Sequence, residues 1–424
     1  MAKGYCCVLI GGRTLSSLEW MMACFSAKQP FTPLNADTGQ ARKEQMLDSI
    51  KSYYLINCQT DEISSYGVDQ NSPGQFQDIA YIIFTSGTTG TPKGVVISNK
   101  AINNMIKWML SWPFYSPETS ALSFFPFNFD PTIFILASMS GWGGRLTLLD
   151  NEHLSHPSEI INTIRSNKIS FWFSTPTLLL KFLLMHDFHC KSLPSLSFFF
   201  LTGEGLPKAC LRYLAEKFPA AKIHNAYGPT EAVIGVSTSE ISINDINDEG
   251  YVPAGRPRED IEIFIDNPVG DKEGEIIIRS DYLASGYLKD GLVTSLGTKH
   301  NEYPTGDLGF VSEGRLYITG RVNRQFKYSG MRIDPLEIEL AISDVSGVLF
   351  AKLSPKKVMD IVASIHADIV LEEHCVKEDM QQAILHKLQE NFPKEMIPSS
   401  FTFTYSSQVK LTKNNKFSPQ DNEP

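Results

Sequence analysis

The chain has 424 residues, too many for one ordinary hydrophobic core and comfortable for two domains. Hydrophobic residues make up 42% and charged residues 20%, with 29 Gly and 24 Pro, a globular composition that excludes wholesale disorder, collagen and coiled coil. With 38 Lys and Arg against 47 Asp and Glu the formal charge is −9, so no general electrostatic pull exists toward nucleic acid or anionic lipid, and a phosphate-bearing ligand would need a local site.

Cysteines stand at 6, 7, 24, 58, 190, 210 and 375, an odd total of seven without a C-x-x-C pair, the usage of a reduced intracellular chain. The apolar run Cys6-Cys7-Val8-Leu9-Ile10 is broken by Gly11-Gly12-Arg13. It is too short for a secretory leader, and no stretch reaches the ~18 apolar residues of a membrane helix. A soluble, cytoplasmic protein without membrane partners is expected. Residues 80–84 predict a strand, after which Ile102, Met105, Ile106 and Met109 fall at helix spacing with Ser98 or Asn99 as N-cap. Strand, turn and helix recur around 196–201 and 223–231, which predicts an α/β fold with mixed sheets. Near residue 320 the texture changes. Asp334-Pro335-Leu336-Glu337 reads as N-cap, first-turn Pro and capping-box Glu. Residues 361–367 predict a strand, and Met380, Ile384, Leu385 and Leu388 predict an amphipathic helix. The expected division is a large domain over 1–320 and a small α+β domain over 321–424.

The chemistry-bearing segment follows Phe84: Thr85-Ser86-Gly87-Thr88-Thr89-Gly90-Thr91-Pro92-Lys93-Gly94. Small hydroxyl and glycine residues leave successive backbone N–H groups unshielded, an anion nest, and Lys93 adds a cation for a phosphate oxygen. The Walker pattern does not fit, because Pro92 precedes the lysine and Gly94 follows it. A surface linker would have the same composition. The strand before this segment and the apolar-periodic stretch after it favour a phosphate loop.

This segment resembles the signature of the adenylate-forming superfamily, which includes amino-acid adenylation domains, acyl- and aryl-CoA ligases and luciferases. Further blocks similar to that family follow in order: Asn225-Ala226-Tyr227-Gly228-Pro229-Thr230-Glu231, Gly286-Tyr287-Leu288, Tyr303-Pro304-Thr305-Gly306-Asp307, Gly320-Arg321 leading to Lys327, Gly330 and Arg332, then Met396-Ile397-Pro398 and Leu411-Thr412-Lys413-Asn414-Asn415-Lys416. The resemblance runs from about residue 8 to residue 418. It implies a large AMP-binding domain and a small C-terminal lid that pivots near Asn323. It also implies ATP and Mg²⁺, with Thr85, Ser86, Gly87, Thr88, Thr89, Gly90 and Lys93 on the phosphates and Tyr227 stacked on adenine beside Asn225, Ala226 and Gly228. Thr230 would bind phosphate, Glu231 would hold Mg²⁺, and Asp307 would accept the ribose hydroxyls. Arg321 would sit against ribose or phosphate, Tyr317 would cover the second adenine face, and Lys416 would bridge substrate carboxylate and α-phosphate.

Among family members an aspartate at the place of Asp130 marks amino-acid activators, where it pairs with the substrate ammonium. Here Asp130 opens Asp130-Pro131-Thr132-Ile133-Phe134, and a second reading makes it a helix cap. By the same resemblance Pro131, Phe134, Phe173, Phe200, Thr202, Ala226, Ile234 and Gly235 line the acid pocket. Three phenylalanines there favour a compact side chain, as in D-alanine:carrier-protein ligases. Typical members carry several dozen more residues before the equivalent of Val8. Asn323 replaces the usual hinge Asp and Asn415 a Gly. The histidines at 186, 189 and 374 have no zinc-finger spacing. Three functions stay open: activation of a small amino acid as its adenylate, with pyrophosphate release and transfer to the phosphopantetheine thiol of a separate carrier protein; an acyl- or aryl-CoA ligase; and a truncated, non-catalytic nucleotide-binding homologue.

Overall fold

The computed structural model describes residues 1–85, 92–112, 116–150, 152–153, 156–247, 251–266, 273–296, 301–322, 325–359 and 361–405. The chain forms two compact units. One gathers Met1–Ala36, Met46–Thr85 and 93–322, and the other gathers 325–405 with Asp37–Gln45. Asn323 lies outside the described residues.

The first unit opens with β1 (Cys6–Gly11), α1 (Leu15–Ala27), β2 (Phe31–Asn35), α2 (Gln40–Ile50, whose residues up to Gln45 group with the second unit), β3 (Tyr53–Asn57), β4 (Glu62–Tyr66), β5 (Ile79–Thr85), β6 (Lys93–Ser98) and α3 (Asn99–Leu110). Its middle is β7 (Ser120–Ser123), α4 (Asp130–Trp142), β8 (Arg145–Leu148), β9 (Phe171–Ser174), β10 (Phe198–Leu201), β11 (Lys222–Tyr227), β12 (Ser237–Glu240) and β13 (Arg256–Pro257). It ends with β14 (Glu262–Asp266), β15 (Gly274–Arg279), β16 (Gly286–Lys289), β17 (Leu292–Thr294), β18 (Glu302–Ser312) and β19 (Arg315–Arg321).

These strands make an eight-stranded sheet in the order β17-β16-β6-β5-β2-β1-β3-β4 and a seven-stranded sheet β13-β12-β11-β10-β9-β7-β8. A four-stranded sheet β14-β15-β18-β19 completes the unit. β1 pairs in parallel with both β2 and β3, which is why Cys6-Cys7-Val8-Leu9 is apolar without alternation: a central parallel strand is buried on both faces. Thr14 caps the crossover helix α1 by accepting the Ser17 N–H at 3.2 Å. The sheets are mixed, as expected, and the expected cap before α3 is present, with Ser98 Oγ accepting the Ala101 N–H at 3.2 Å.

The alternation of a strand sorts the aromatic run of the seven-stranded sheet. Phe171, Phe173, Phe198 and Phe200 enter one core together with Phe134, while Trp172, Phe199 and Leu201 enter the core on the opposite face. The first of these cores carries the residues expected to bind the acid.

In the second unit a three-stranded sheet of Val348–Val358, Ile361–Leu371 and Ser400–Tyr405 packs with the helices Pro335–Ser343 and Lys377–Asn391. Both helices begin near their expected places. Asp334 also accepts from Gln325 Nε2 at 2.8 Å, and the expected capping-box Glu337 pairs with Arg42 Nη1 at 3.0 Å with both side chains buried.

Gly255, between β12 and β13, has φ +94, and a Cβ there would stand 2.2 Å from the Thr238 carbonyl carbon. The close approach holds the neighbouring Pro253 carbonyl over β11. Gly255→Ala meets both a left-handed backbone and a backbone clash, so it should cost about 2 kcal/mol or more. A lowered urea midpoint at unchanged slope checks this.

Candidate active site

β5 and β6 pair antiparallel, and the segment expected to hold phosphate lies between them in sequence. Thr85 faces Lys93 in register, and Thr85 Oγ1 donates to the Lys93 carbonyl at 3.5 Å. Ser86, Gly87, Thr88, Thr89 and Gly90 lie outside the described residues, as does Lys416. The Lys93 ammonium lies 5.6 Å from the centre of the Tyr287 ring, and the Tyr287 hydroxyl donates to Glu231 Oε1 at 2.9 Å. β16 carries Tyr287 there by pairing with β6, where Tyr287 stands opposite Val95. Glu231, buried, sits with Thr230 on a single 3-10 turn, Thr230–Ala232. The spacing of the Gly286-Tyr287-Leu288 block gives no sign that Tyr287 serves Glu231.

After this turn Val233 and Ile234 adopt φ +59 and +70. β-Branched residues rarely take this conformation, which costs of order 1–3 kcal/mol each and persists only where surroundings over-determine it. Here the Gly235 N–H donates to the Val233 carbonyl and the Val236 N–H to the Tyr227 carbonyl, at 2.7 and 2.8 Å. Gly228 must lack a side chain, because its Cβ would come 2.3 Å from the Ile234 oxygen.

On the far side of β11, the Tyr227 hydroxyl donates to Asp307 Oδ2 at 2.7 Å. Arg321 Nη1 holds the other carboxylate oxygen at 2.8 Å, and its Nη2 donates to the Thr305 carbonyl at 3.1 Å. Asp307 and Arg321 face each other across β18 and β19. Burial first, then the Asp307 charge, pushes the Tyr227 hydroxyl well above the usual phenol range, so it stays a donor. Tyr317, three pairs farther along β19, stacks on Phe310 at 4.9 Å and 10°. Asn225 Nδ2 donates to the Pro253 carbonyl at 2.8 Å, which orients the amide. Its buried Oδ1 has no partner among the described residues. An orphaned acceptor of that kind suits an exocyclic amine such as that of adenine.

Asp130 is the first residue of α4, and Phe129 holds the N-cap position without a side-chain hydrogen bond. The helix-cap reading of Asp130 is thereby corrected: its buried carboxylate lies inside the first turn, where the helix dipole favours negative charge. The Asp130 charge also contributes, after burial, to raising the Tyr81 hydroxyl. One helical turn on, Phe134 meets Phe173 at 5.1 Å and Phe200 at 5.2 Å, while Phe173 and Phe200 lie 5.6 Å apart. Thr202, Ala226 and Ile234 are buried, and the latter two share the core of these rings. Two further rings close on Phe200 that the sequence reading did not place there: Trp112, stacked at 5.4 Å, and His224, nearly parallel at 6.2 Å. Trp112 lies one helical turn beyond Trp108, so helix spacing carried a faint signal for it. Nothing in the sequence distinguishes His224.

The other histidines make local pairs, His186 with Asp187 and His374 with Glu372. Among the described residues no group of three or more His, Cys, Asp or Glu is arranged for a metal ion, and no helix is long and apolar enough to cross a membrane.

The chain is similar to known proteins. Residues 57–288 match the family of AMP-binding enzymes. A D-alanine--D-alanyl carrier protein ligase of Bacillus licheniformis is 30% identical over 93% of this chain and 84% of its own length. An amide bond synthetase from Marinactinospora thermotolerans superposes with a TM-score of 0.82 at 18% identity, covering 98% of this chain and 89% of the synthetase. The Vibrio cholerae adenylation domain AlmE, solved with glycyl-adenosine-5′-phosphate, superposes at 0.79 and 19% identity over 97% and 87% of the two chains. The fold is therefore that of the adenylate-forming enzymes. The chain belongs to the AMP-binding enzyme family.

Burial, and secondarily Lys222, holds the His224 imidazole down to about 4 from an ordinary 6.5. The folded protein thus keeps His224 neutral while the unfolded chain protonates it below pH 6.5. Its contribution to stability is complete above 6.5 and is lost as pH falls from 6.5 toward 4, at up to ~1.4 kcal/mol per pH unit. Urea midpoints at pH 7, 6 and 5 should fall less steeply in His224→Phe than in the wild type.

Proposed function

We propose that this chain joins ATP to a small amino acid, releases pyrophosphate, and passes the aminoacyl group from the adenylate to the phosphopantetheine thiol of a separate carrier protein. The observation that carries this reading is the buried Asp130 carboxylate at the start of α4, one helical turn from the Phe134, Phe173 and Phe200 cluster. A buried carboxylate in the first turn of the helix that also carries Phe134 suits a charge-assisted contact with the ammonium group that an amino acid brings. The carrier-protein ligase named among the relatives supports the same substrate class.

In the first half-reaction the amino-acid carboxylate attacks the α-phosphorus and pyrophosphate leaves. Both reactants are anionic. Two like charges at 4 Å repel by ~4 kcal/mol at an effective dielectric near 20. In this assignment the loop from Thr85 to Gly90, Lys93 and Thr230 face the phosphates, and Lys416 meets the charge that builds between carboxylate and α-phosphate. Mg²⁺, when bound, supplies further neutralisation, and Glu231 is the oxygen donor we assign to it. Asn225, Ala226, Tyr227, Gly228 and Tyr317 border adenine, while Asp307 and Arg321 hold the ribose. Asp130 takes the ammonium, and Phe134, Phe173, Phe200, Thr202, Ala226 and Ile234 take the side chain. In the second half-reaction the carrier thiolate attacks the mixed-anhydride carbonyl, a thioester forms and AMP leaves. We place the enzyme in the cytoplasm, consistent with its seven free cysteines.

ATP–pyrophosphate exchange over a panel of amino, aryl and fatty acids tests the assignment. Exchange with one compact amino acid supports it, and exchange with an aryl or fatty acid would transfer the reading to a CoA ligase. Asp130→Asn should raise KM for the amino acid by about 10- to 100-fold, the loss of one charge-assisted contact, with KM for ATP nearly unchanged. Lys416→Ala should slow adenylate formation by roughly 100-fold or more. Thioester formation from preformed adenylate, followed by carrier-protein mass, should change far less.

A further inference from the structure

Trp108 and Trp112 stand four residues apart at the end of α3, their rings 4.9 Å apart and perpendicular. Trp112 turns toward the acid side of the seven-stranded sheet, stacked on Phe200 at 5.4 Å and 28° and 6.0 Å from Phe134. It therefore adds a fourth ring to the cluster of Phe134, Phe173 and Phe200. Trp108 fills the neighbouring space. A Cβ on Gly235 would come 2.9 Å from Trp108 Cζ3, so the glycine beside the strained Ile234 is what gives the indole room.

The two indoles are held there. The guanidinium of the buried Arg258 lies 5.3 Å from the Trp108 ring, and its Nη2 pairs with Asp260 Oδ2 at 3.1 Å. The same oxygen accepts from Asn104 Nδ2, one helical turn earlier on α3, at 2.7 Å. Arg258 also donates its backbone N–H to the Val236 carbonyl at 2.9 Å, next to Gly235. The end of α3 is thus tied to the segment that carries Ile234 and Gly235, and Trp108 has a cation on one side and a glycine backbone on another. A wall built this way cannot yield to a larger ligand by rotating one side chain.

From these contacts we infer that Trp112, backed by Trp108 and the Arg258–Asp260–Asn104 brace, sets the upper size limit of the acid. The substrate class is then an amino acid with an uncharged side chain no larger than that of alanine or serine. The inference rests on the reading above, in which Asp130 holds the ammonium. Asp130 and Phe134 lie four residues apart on α4, about 6 Å along its axis, and Phe134 is in ring contact with Phe200 and the Trp112 indole, so a short side chain extending from an ammonium held at Asp130 meets these rings first. In a rigid apolar pocket one methylene is worth about 10- to 200-fold in kcat/KM, so removing an indole should move specificity by at least the lower figure.

The test measures pyrophosphate exchange by the full chain with glycine, both alanines, serine, valine, leucine and phenylalanine. The wild type should favour the compact substrates. Trp112→Ala should raise the leucine-to-alanine ratio of kcat/KM by about 30-fold while KM for ATP stays within about twofold, and Trp112→Phe, which keeps a ring in place, should retain most of the wild-type preference. Trp112→Leu replaces the alanine variant if circular dichroism shows the latter unfolded. A folded variant whose ratio stays within threefold of wild type overturns the inference and leaves amino-acid activation standing. So does a wild type that prefers leucine or phenylalanine. A wild type that exchanges with no amino acid overturns both the inference and the reading beneath it.

Discussion

The Asp307 carboxylate is the point through which the first unit is tied together. It takes the Tyr227 hydroxyl from the seven-stranded sheet and the Arg321 guanidinium from its own four-stranded sheet. A buried ion pair is weak evidence for stability, because desolvation consumes most of the attraction. Its value here is position. With both oxygens held and Arg321 anchored on the Thr305 carbonyl, the relative placement of β11, β18 and β19 is fixed to hydrogen-bond precision. Among the described residues, those we assign to adenine and ribose stand on or beside these strands. The same arrangement makes Asp307 an acceptor-rich, preorganised group, which suits sugar hydroxyls and spares reorganisation when they arrive.

Strain and packing cooperate on the other side of β11. The left-handed Val233 and Ile234 cost energy locally, and the sheet edge, the Gly228 approach and the α3 brace keep them in place. What the strain achieves is a tight reversal. Within a few residues of one another it places the buried Glu231 and the segment of Ile234 and Gly235, which the proposed assignment gives to the metal and to the acid. Tyr287 completes the link by touching Glu231 through its hydroxyl and Lys93 through its ring face, a geometry in which the cation and the carboxylate are spaced by an aromatic ring rather than collapsed into an ion pair.

The acid side shows how a run of one residue type becomes two different environments. Phe198-Phe199-Phe200 is uniform in sequence, yet strand pleating sends Phe199 into a core of helices and Phe200 into the ring cluster beside Asp130. Aromatic rings are suited to the second role because they are large, stiff and low in rotamer entropy. A wall of four such rings keeps its shape, and shape is what discriminates between side chains that differ by a methylene.

Local pattern was enough for much of this protein. The cap at Ser98, the buried face of α3 and the strand around 80–84 depend on residues within about ten positions of one another, and such spacings are visible in a string of letters. Asp130, Glu231, Asn225 and Asp307 were singled out by the family resemblance, and their burial emerged only in the fold. Tertiary structure alone decided the partners. Tyr287 meets Glu231 across 56 residues, Tyr227 meets Asp307 across 80, and Asn104 meets Asp260 across 156. It also decided that Phe129 and not Asp130 caps α4, that Trp112 joins the phenylalanine cluster, that His224 stays neutral, and that Asp37–Gln45 belongs with the second unit. Strand register and helix packing set such contacts, and both are fixed by the summed burial of whole faces, a quantity that no short window of sequence contains.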